Sequence, residues 1–396
     1  MRILLTSSRM PFAVDEIRKL GRRGHSVVAA DTFRLAPGNH SSLAVDSLRL
    51  PPPRFDPRRF VEDLSAAAEL HEIELLLPTF EEIFYLARHR SLLPDGCSLF
   101  AADFETLDLL HNKLCFVELA DEIGLPTPPT IEARDADALR RATKRFDRWV
   151  ARAVYSRGAV DVLTHEGAIA GDLSLEDCEP DDRNPWIVQP FVDGSRLCSY
   201  SLAREGRVTA HCTYEHPHTI EGGGGISFRS VESAESLSLV ERLVERTGYT
   251  GQLGLDLIRS ENGPVLIECN PRATDGVVLM TDEEFDSGLC PGTDDEPLLV
   301  PPGRERQISV GLLRELVFNF GDVLTSPGEL RDALSQLVDV PSVYLSRDDP
   351  APALALPLSY SHVFGYRLYE RRNVRSRSSI MGAYLYDVSW NGDPIP

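Results

Sequence analysis

Short apolar runs alternate with segments of helical spacing over the first 105 residues. RILLTS is a run of strand length, and from Phe12 to Arg22 the apolar residues Phe12, Ile17 and Leu20 fall on one helical face. GHSVVAADT gives a second strand after a turn glycine, and a Pro51-Pro52-Pro53 crossing leads to a helix over 57–71. IELLLP follows as a strand, then a helix through Glu82, Ile83, Tyr85 and Leu86. Strands alternating with helices predict a parallel sheet covered on both faces. Between about 106 and 130 a helix carrying Lys113 runs into the proline-stiffened GLPTPPT. A helix at 135–147 and the strand RWVARAVY come next, and residues 186–270 read mostly as β. WIVQPFV, LCSYSLA and VTAHCTY are strands, followed by EGGGGISF, a helix at 232–247 and two strands around 253–270. Beyond 300 the pattern predicts helices at 309–320 and 328–338, then late strands ending in YLYDVSW.

Composition narrows the function classes. The chain has 396 residues, 42% hydrophobic and 26% charged, which is globular and large enough for several domains. Acids outnumber bases 61 to 41, a formal charge of −20 that repels phosphate backbones and anionic lipid. Nucleic acid and membrane are therefore not expected partners. The seven cysteines form no CxxC pair and the first residues lack a long apolar core, so a cytoplasmic protein with reduced thiols is expected. Only Lys19, Lys113 and Lys144 are lysines; Lys19 and Lys144 fit polar helix faces. The turn TSSRMP lacks a GxGxxG fingerprint, which argues against a nicotinamide oxidoreductase. Ser7 and Ser8 are candidates either for an anion at a helix N-terminus or for simple N-capping.

The densest chemistry lies in GQLGLDLIRSENGPVLIECNPR, residues 251–272. A three-residue loop pairing Ser260 with Pro264 sets partners that place Asp256 opposite Glu268. Alternation then puts Leu253, Leu255, Leu257, Val265, Ile267 and Cys269 on one face, and Gly254, Asp256, Glu268 and Asn270 on the other. Two carboxylates side by side repel unless a cation or proton intervenes, and Asn270 completes an oxygen ligand set suited to Mg²⁺. Arg272 has the same parity and can offset charge on a transferring phosphoryl group. An amphipathic hairpin with its acids facing water is the competing reading.

This stretch resembles the metal-binding hairpin of the ATP-grasp superfamily, which includes biotin carboxylase and D-alanine–D-alanine ligase. The chain most resembles the small stand-alone carbamoyl-phosphate-synthase-like members, from residue 1 to about 290. The resemblance implies an α/β (α+β) ATP-grasp fold: a Rossmann-like parallel-sheet domain at 1–107, ATP-grasp subdomains at 108–185 and 186–300, and a small C-terminal region at 301–396. HNKLCFVELADEIGLPTP resembles the family helix whose lysine contacts phosphate, which implies that role for Lys113; a surface lysine is the alternative. WVARAVYSRGAVDV resembles the strand and phosphate loop, with Arg152 where lysine is usual and one glycine where relatives have several. PWIVQPFVDG resembles the hinge that holds adenine, implying Gln189, Phe191 and Val192, although a buried strand ending at a turn fits as well. Arg196 stands where the family often has glutamate. PTFEE places Glu81 or Glu82 near ATP or the acceptor by the same resemblance, with helix-end electrostatics as the alternative.

The implied activity is an ATP-dependent carboxylate–amine (or thiol) ligase working through an acyl phosphate and releasing ADP and phosphate. Its cofactors would be ATP and Mg²⁺, with Mn²⁺ as a substitute. Asp256, Glu268 and Asn270 would hold the metal, and Arg272, Lys113 and Arg152 would be catalytic. Partners would be a small-molecule carboxylate and an amine or thiol acceptor, with room for a homodimer. A non-catalytic nucleotide-binding module is the second reading, favoured by Arg196 and the glycine-poor loop. His211, His216 and His218 suggest zinc only weakly, for want of an H-E-x-x-H or a cysteine pair. Glycines 222–225 read as a loop able to close over substrate or as a plain connection, and acidic residues 282–296 as a solvated loop.

Overall fold

The computed structural model describes residues 1–157, 161–166, 173–219, 225–232, 234–292, 296–308, 339–363 and 384–396. The expected helices at 309–320 and 328–338, and glycines 222–224, lie outside the described residues.

The alternating start folds as its spacing predicts. The first sheet contains β1 (Arg2–Leu5), β2 (Ser26–Asp31), β3 (Ala44–Arg49), β4 (Leu75–Leu77) and β5 (Ser98–Leu99), all parallel, in the order β3-β2-β1-β4-β5. Helices α1 (Pro11–Arg22), α2 (Pro57–Leu70) and α3 (Glu82–Arg88) form its crossovers. Strand β3 was not legible because Ala44–Arg49 is half-exposed at a sheet edge and carries two charges in six residues. The order reverses at β1, so the loops after β1 and β4 flank a switch-point crevice.

One expected helix becomes two. Helix α4 (Phe104–His111) stops at Asn112, whose extended backbone (ψ 109°) lets its Oδ1 accept from the N–H groups of Leu114 and Cys115 at 3.1 and 3.0 Å. That cap starts α5 (Lys113–Glu122) with Lys113 as its first residue. A small antiparallel sheet follows from β6 (Ile131–Ala133), β7 (Trp149–Ala153), β8 (Val162–Thr164) and β9 (Trp186–Pro190), in the order β6-β9-β7-β8, with α6 (Ala136–Thr143) packed on it.

The largest sheet runs β14-β13-β10-β11-β12-β16, built from β10 (Ser195–Arg204), β11 (Arg207–Glu215), β12 (Ser227–Val231), β13 (Gly251–Ser260), β14 (Gly263–Asn270) and β16 (Glu305–Gln307). Strand β15 (Leu298–Leu299) joins β11, and α7 (Ala234–Thr247) packs against the same strand. Residues 282–289 are not a loop but helix α8 (Asp282–Leu289), opened by a Thr281–Glu284 capping box. Its acids are spent on ion pairs, Asp286 with Arg23 and His25, and Glu284 with Arg304. Helix α9 (Ala351–Ser359) covers the turn at Pro37–His40. Residues 384–390 form a helical turn and an irregular turn rather than strands. They are anchored by the fully buried Arg9, which bonds both Asp31 and Asp387. Lys19 is also buried, paired with Asp15 and donating to the Val277 carbonyl at 2.7 Å, so it is not on a polar face; Lys144 is exposed. No helix among the described residues is long and apolar enough to cross a membrane.

Candidate active site

The β13–β14 hairpin holds Asp256 directly opposite Glu268 and Gly254 opposite Asn270. It reaches that pairing by a different route from the expected one. Ser260 pairs with Gly263 across a two-residue turn, where Gly263 takes φ +108°, and Ile267 is an extra residue that shifts the register between Asp256 and Leu257. The bulge puts Leu266, not Val265 or Ile267, into the core beside Leu255, Leu257 and Cys269. It also frees the Ile267 carbonyl to accept from Arg152 Nη2 at 3.0 Å.

The carboxylate face does not look into water. Asn270 is buried and only 15% of the Glu268 side chain is exposed. Glu268 lies 3.5 Å from Lys113 Nζ and 3.6 Å from Arg152 Nη1. Burial would raise its pKa, but those two charges hold it below the ordinary carboxylate value. Asp256 moves the other way, raised by burial and by Glu268, while Cys198 Sγ donates to its Oδ1 at 3.2 Å. Two buried acids held face to face repel each other unless a cation or a proton intervenes. A Cβ on Gly254 would come within 2.5 Å of Thr274, so glycine is what lets the turn after Arg272 close against this face.

The cations come from three places in the chain. Lys113, only 1% exposed, donates to the carbonyls of Ser156 (2.7 Å) and Val154 (3.4 Å); burial lowers its pKa, with Glu268 opposing. It is not a surface lysine. Arg152 on β7 is buried, and its Nη2 also donates to Gln189 Oε1 at 2.9 Å. Arg272 donates to Asn270 Oδ1 at 3.0 Å, lies over the Phe80 ring at 4.5 Å and approaches Glu81 at 3.8 Å.

The structure therefore brings Asp256, Glu268, Asn270, Lys113, Arg152 and Arg272 together. Gln189 joins them as a brace rather than as an open amide: its Nε2 donates to Thr130 Oγ1 at 2.8 Å while its Oε1 holds Arg152. Phe191 and Val192 follow β9, half-buried, with Phe191 under the Arg148 guanidinium at 4.7 Å. Arg196 is exposed at the start of β10. No side chain caps α1; Thr6 and Ser7 donate to the fully buried Glu82, and Ser8 donates to Asn39.

Sequence reasoning missed three neighbours of this site. Asp275 is raised to about 7 by burial, with Arg272 opposing, and its only signal was a place three residues beyond Arg272. His111 is buried with both ring nitrogens unpartnered, among Phe84, Tyr155 and Trp390. Cys198 was invisible because it lies on β10, 58 residues from Asp256. The histidines 211, 216 and 218 do not converge on a zinc site. His211 is held by Ser201, Thr213 and Ser236, His216 turns to Cys198, and no group of three His, Cys, Asp or Glu side chains among the described residues is arranged to hold a metal ion.

Residues 110–276 match the family model of the ATP-grasp domain. No curated protein sequence matches the chain. Among solved structures, N5-carboxyaminoimidazole synthetase from Staphylococcus aureus, complexed with ADP, aligns with a TM-score of 0.61 at 12% identity, covering 81% of this chain and 86% of that one. Biotin carboxylase from Campylobacter jejuni, solved as a complex with a β,γ-ATP ligand, aligns at 0.58 and 14% identity, covering 74% and 72%. The biotin carboxylase domain of 2-oxoglutarate carboxylase from Hydrogenobacter thermophilus, with MgADP, ADP and bicarbonate, aligns at 0.53 and 15% identity. The alignment covers 69% of this chain and 64%, just under two thirds, of that one. At such identities these likenesses concern the fold. Residues 110–276 thus match an ATP-grasp domain, and the solved structures share the fold around it.

Proposed function

We propose that this protein is an ATP-dependent ligase that joins a small carboxylate to an amine or thiol through an acyl phosphate. One observation carries the reading: Asp256 and Glu268 face each other at the centre of a ring formed by Lys113, Arg152 and Arg272. Such a cluster suits a divalent cation with a polyphosphate better than a structural ion pair, because two facing carboxylates repel each other while Lys113, Arg152 and Arg272 stand beside them as donors to an anion. The structural relatives that hold ADP, MgADP or bicarbonate support the same choice of ligands.

Asp256, Glu268 and Asn270 fit Mg²⁺. Two carboxylates and an amide are hard oxygen donors of the kind Mg²⁺ takes together with substrate phosphates, and a cation there would relieve the repulsion of Asp256 and Glu268. Held by Asp256, Glu268 and Asn270, a Mg²⁺ ion would supply positive charge to offset that of the phosphates. Lys113 and Arg152 would hold the phosphates, with Gln189 fixing Arg152, while Phe191 and Val192 would flank adenine. The carboxylate oxygen attacks the γ-phosphorus and the bond to the β-phosphate oxygen breaks, giving acyl phosphate and ADP. The amine or thiol then attacks the acyl carbon, loses its proton, and phosphate leaves. Arg272 would stabilise the transferring group, so catalysis is positioning and electrostatics. The same reading assigns 1–107 to a pre-ATP-grasp domain, 108–185 and 186–300 to the two grasping halves, and 301–396 to a C-terminal region.

The test is nucleotide turnover with Mg²⁺, a pool of carboxylic acids and hydroxylamine as trap. ADP together with a hydroxamate, both lost in Glu268→Gln, is the expected result. AMP with pyrophosphate would overturn the acyl-phosphate route. ATP binding without any turnover would leave the non-catalytic module as the better account.

A further inference from the structure

Arg157 stands at the edge of the site, and the residues that fix it come from far away in sequence. Its Nε donates to Glu81 Oε1 at 2.8 Å. Both hydrogens of Nη2 are taken by the Trp390 carbonyl at 2.6 Å and Asn391 Oδ1 at 2.7 Å. Glu81, fully buried, in turn accepts from the Trp390 N–H at 3.0 Å and lies 3.8 Å from Arg272. Trp390 is wedged against Phe84, Phe104, His111 and Tyr155, and the Ser389 carbonyl accepts from Tyr85.

That bracing leaves Nη1 of Arg157 with no hydrogen-bond partner among the described residues, although the side chain is only 15% exposed. Its backbone neighbour, the Ser156 carbonyl, is what Lys113 Nζ holds. Lys113, Arg152, Arg157 and Arg272 thus gather beside the carboxylates Glu81, Asp256, Glu268 and Asp275. Burial, with the charges of Lys113, Arg157 and Arg272 adding to it, drives the His111 pKa down. A guanidinium locked on one edge with a free Nη1 is a pre-organised anion donor.

We propose that Arg157 is a further phosphate-binding residue of this site, donating through Nη1 to the terminal phosphoryl group of a nucleoside triphosphate. Trp390 and Asn391 are its positioning residues, so the 387–391 segment is a working part of the active site. The proposal rests on the nucleotide reading above, and it gives Glu81, of the PTFEE run, a bracing role: one carboxylate oxygen accepts from Arg157 and the other from the Trp390 N–H.

The experiment compares ATP and ADP affinity by calorimetric titration of the full chain with Mg²⁺. Arg157→Ala should weaken ATP about tenfold or more and ADP less than about threefold, since the donor meets only the terminal group. Arg157→Lys should rescue little, because a lysine cannot use Glu81 and the 390–391 oxygens together. Asn391→Ala should show the same ATP-selective loss in weaker form, and Asn391→Asp, which keeps the acceptor, should restore it. A purely structural role predicts equal losses for ATP and ADP, or a lower Tm with both affinities intact; either result overturns the proposal. ATP-selective binding through Arg157 without turnover would sink the ligase assignment and sustain this inference. Turnover and affinities indifferent to Arg157 would do the reverse, and a wild type that binds no ATP overturns both.

Discussion

Replacing Lys113 by methionine removes one charge while keeping the length and bulk of the side chain. The ammonium lies 3.5 Å from Glu268 and donates to the carbonyls of Ser156 and Val154. At that separation and an effective dielectric near 20, the attraction to Glu268 is about 5 kcal/mol before desolvation is subtracted. Losing one partner of a buried pair typically destabilises by about 3–5 kcal/mol. The lower end, about 3 kcal/mol, applies here, because Arg152 at 3.6 Å continues to compensate Glu268 and its repulsion with Lys113 disappears. The expected outcome is a urea midpoint lowered accordingly, with an unchanged m-value. In Lys113→Met/Glu268→Gln the loss should be smaller than the sum of the two single variants, since the second change removes the charge that the first leaves unpaired. A charge-assisted bond to phosphate is worth about 1.5–3 kcal/mol, so ATP affinity should fall roughly ten- to hundredfold. A Lys113→Met protein with wild-type ATP affinity, and strictly additive stability effects, would refute the placement of Lys113 in this cluster.

Two other outcomes are expected. Asn112→Ala should destabilise by about 1–2 kcal/mol in denaturant unfolding, because it uncaps two N–H groups of α5 and breaks the 3.0 Å bond to the Tyr155 hydroxyl. It should also raise the KM for ATP by loosening Lys113; a helix content and KM equal to wild type would argue that the α4–α5 break is held elsewhere. His211, its pKa pushed down to about 4 by burial, binds a proton in the unfolded chain at a higher pH than in the native one. Stability from this group is therefore complete above pH 6.5 and falls as pH drops toward 4, by up to about 1.4 kcal/mol per unit. His211→Asn should flatten that acid limb in a pH series of thermal melts, and an unchanged slope would count against a neutral buried imidazole.

Much of the site was legible because its residues are close in sequence. Asp256 and Glu268 sit on strands of one hairpin, and period-two alternation puts Asp256 in phase with Gly254 and Glu268 in phase with Asn270 on their own strands. The same local logic gave the parallel first sheet and the helices at Pro11–Arg22 and Pro57–Leu70, whose apolar spacing is strong. The turn length was misread, since nothing in Ser260–Pro264 announces that Ile267 will bulge; the structure kept Asp256 facing Glu268 by shortening the loop and adding a residue to the strand. Burial could not be read either. Lys19 and Lys113 look alike as isolated letters, and only packing against Val277, Ser156 and Glu268 removes both from water.

What the sequence by itself determined is the set of short-range geometries: strand and helix periods, the carboxylate pair, and the cap-forming and turn-forming residues, all fixed by backbone sterics within a few positions. The tertiary structure alone decided the electrostatics. It seated Arg152 against the Ile267 carbonyl, turned Gln189 inward as a brace, and carried Trp390 and Asn391 across more than 230 residues to hold Arg157. Charges interact through space and through the dielectric around them, and neither distance nor burial is encoded in the spacing of residues along the chain.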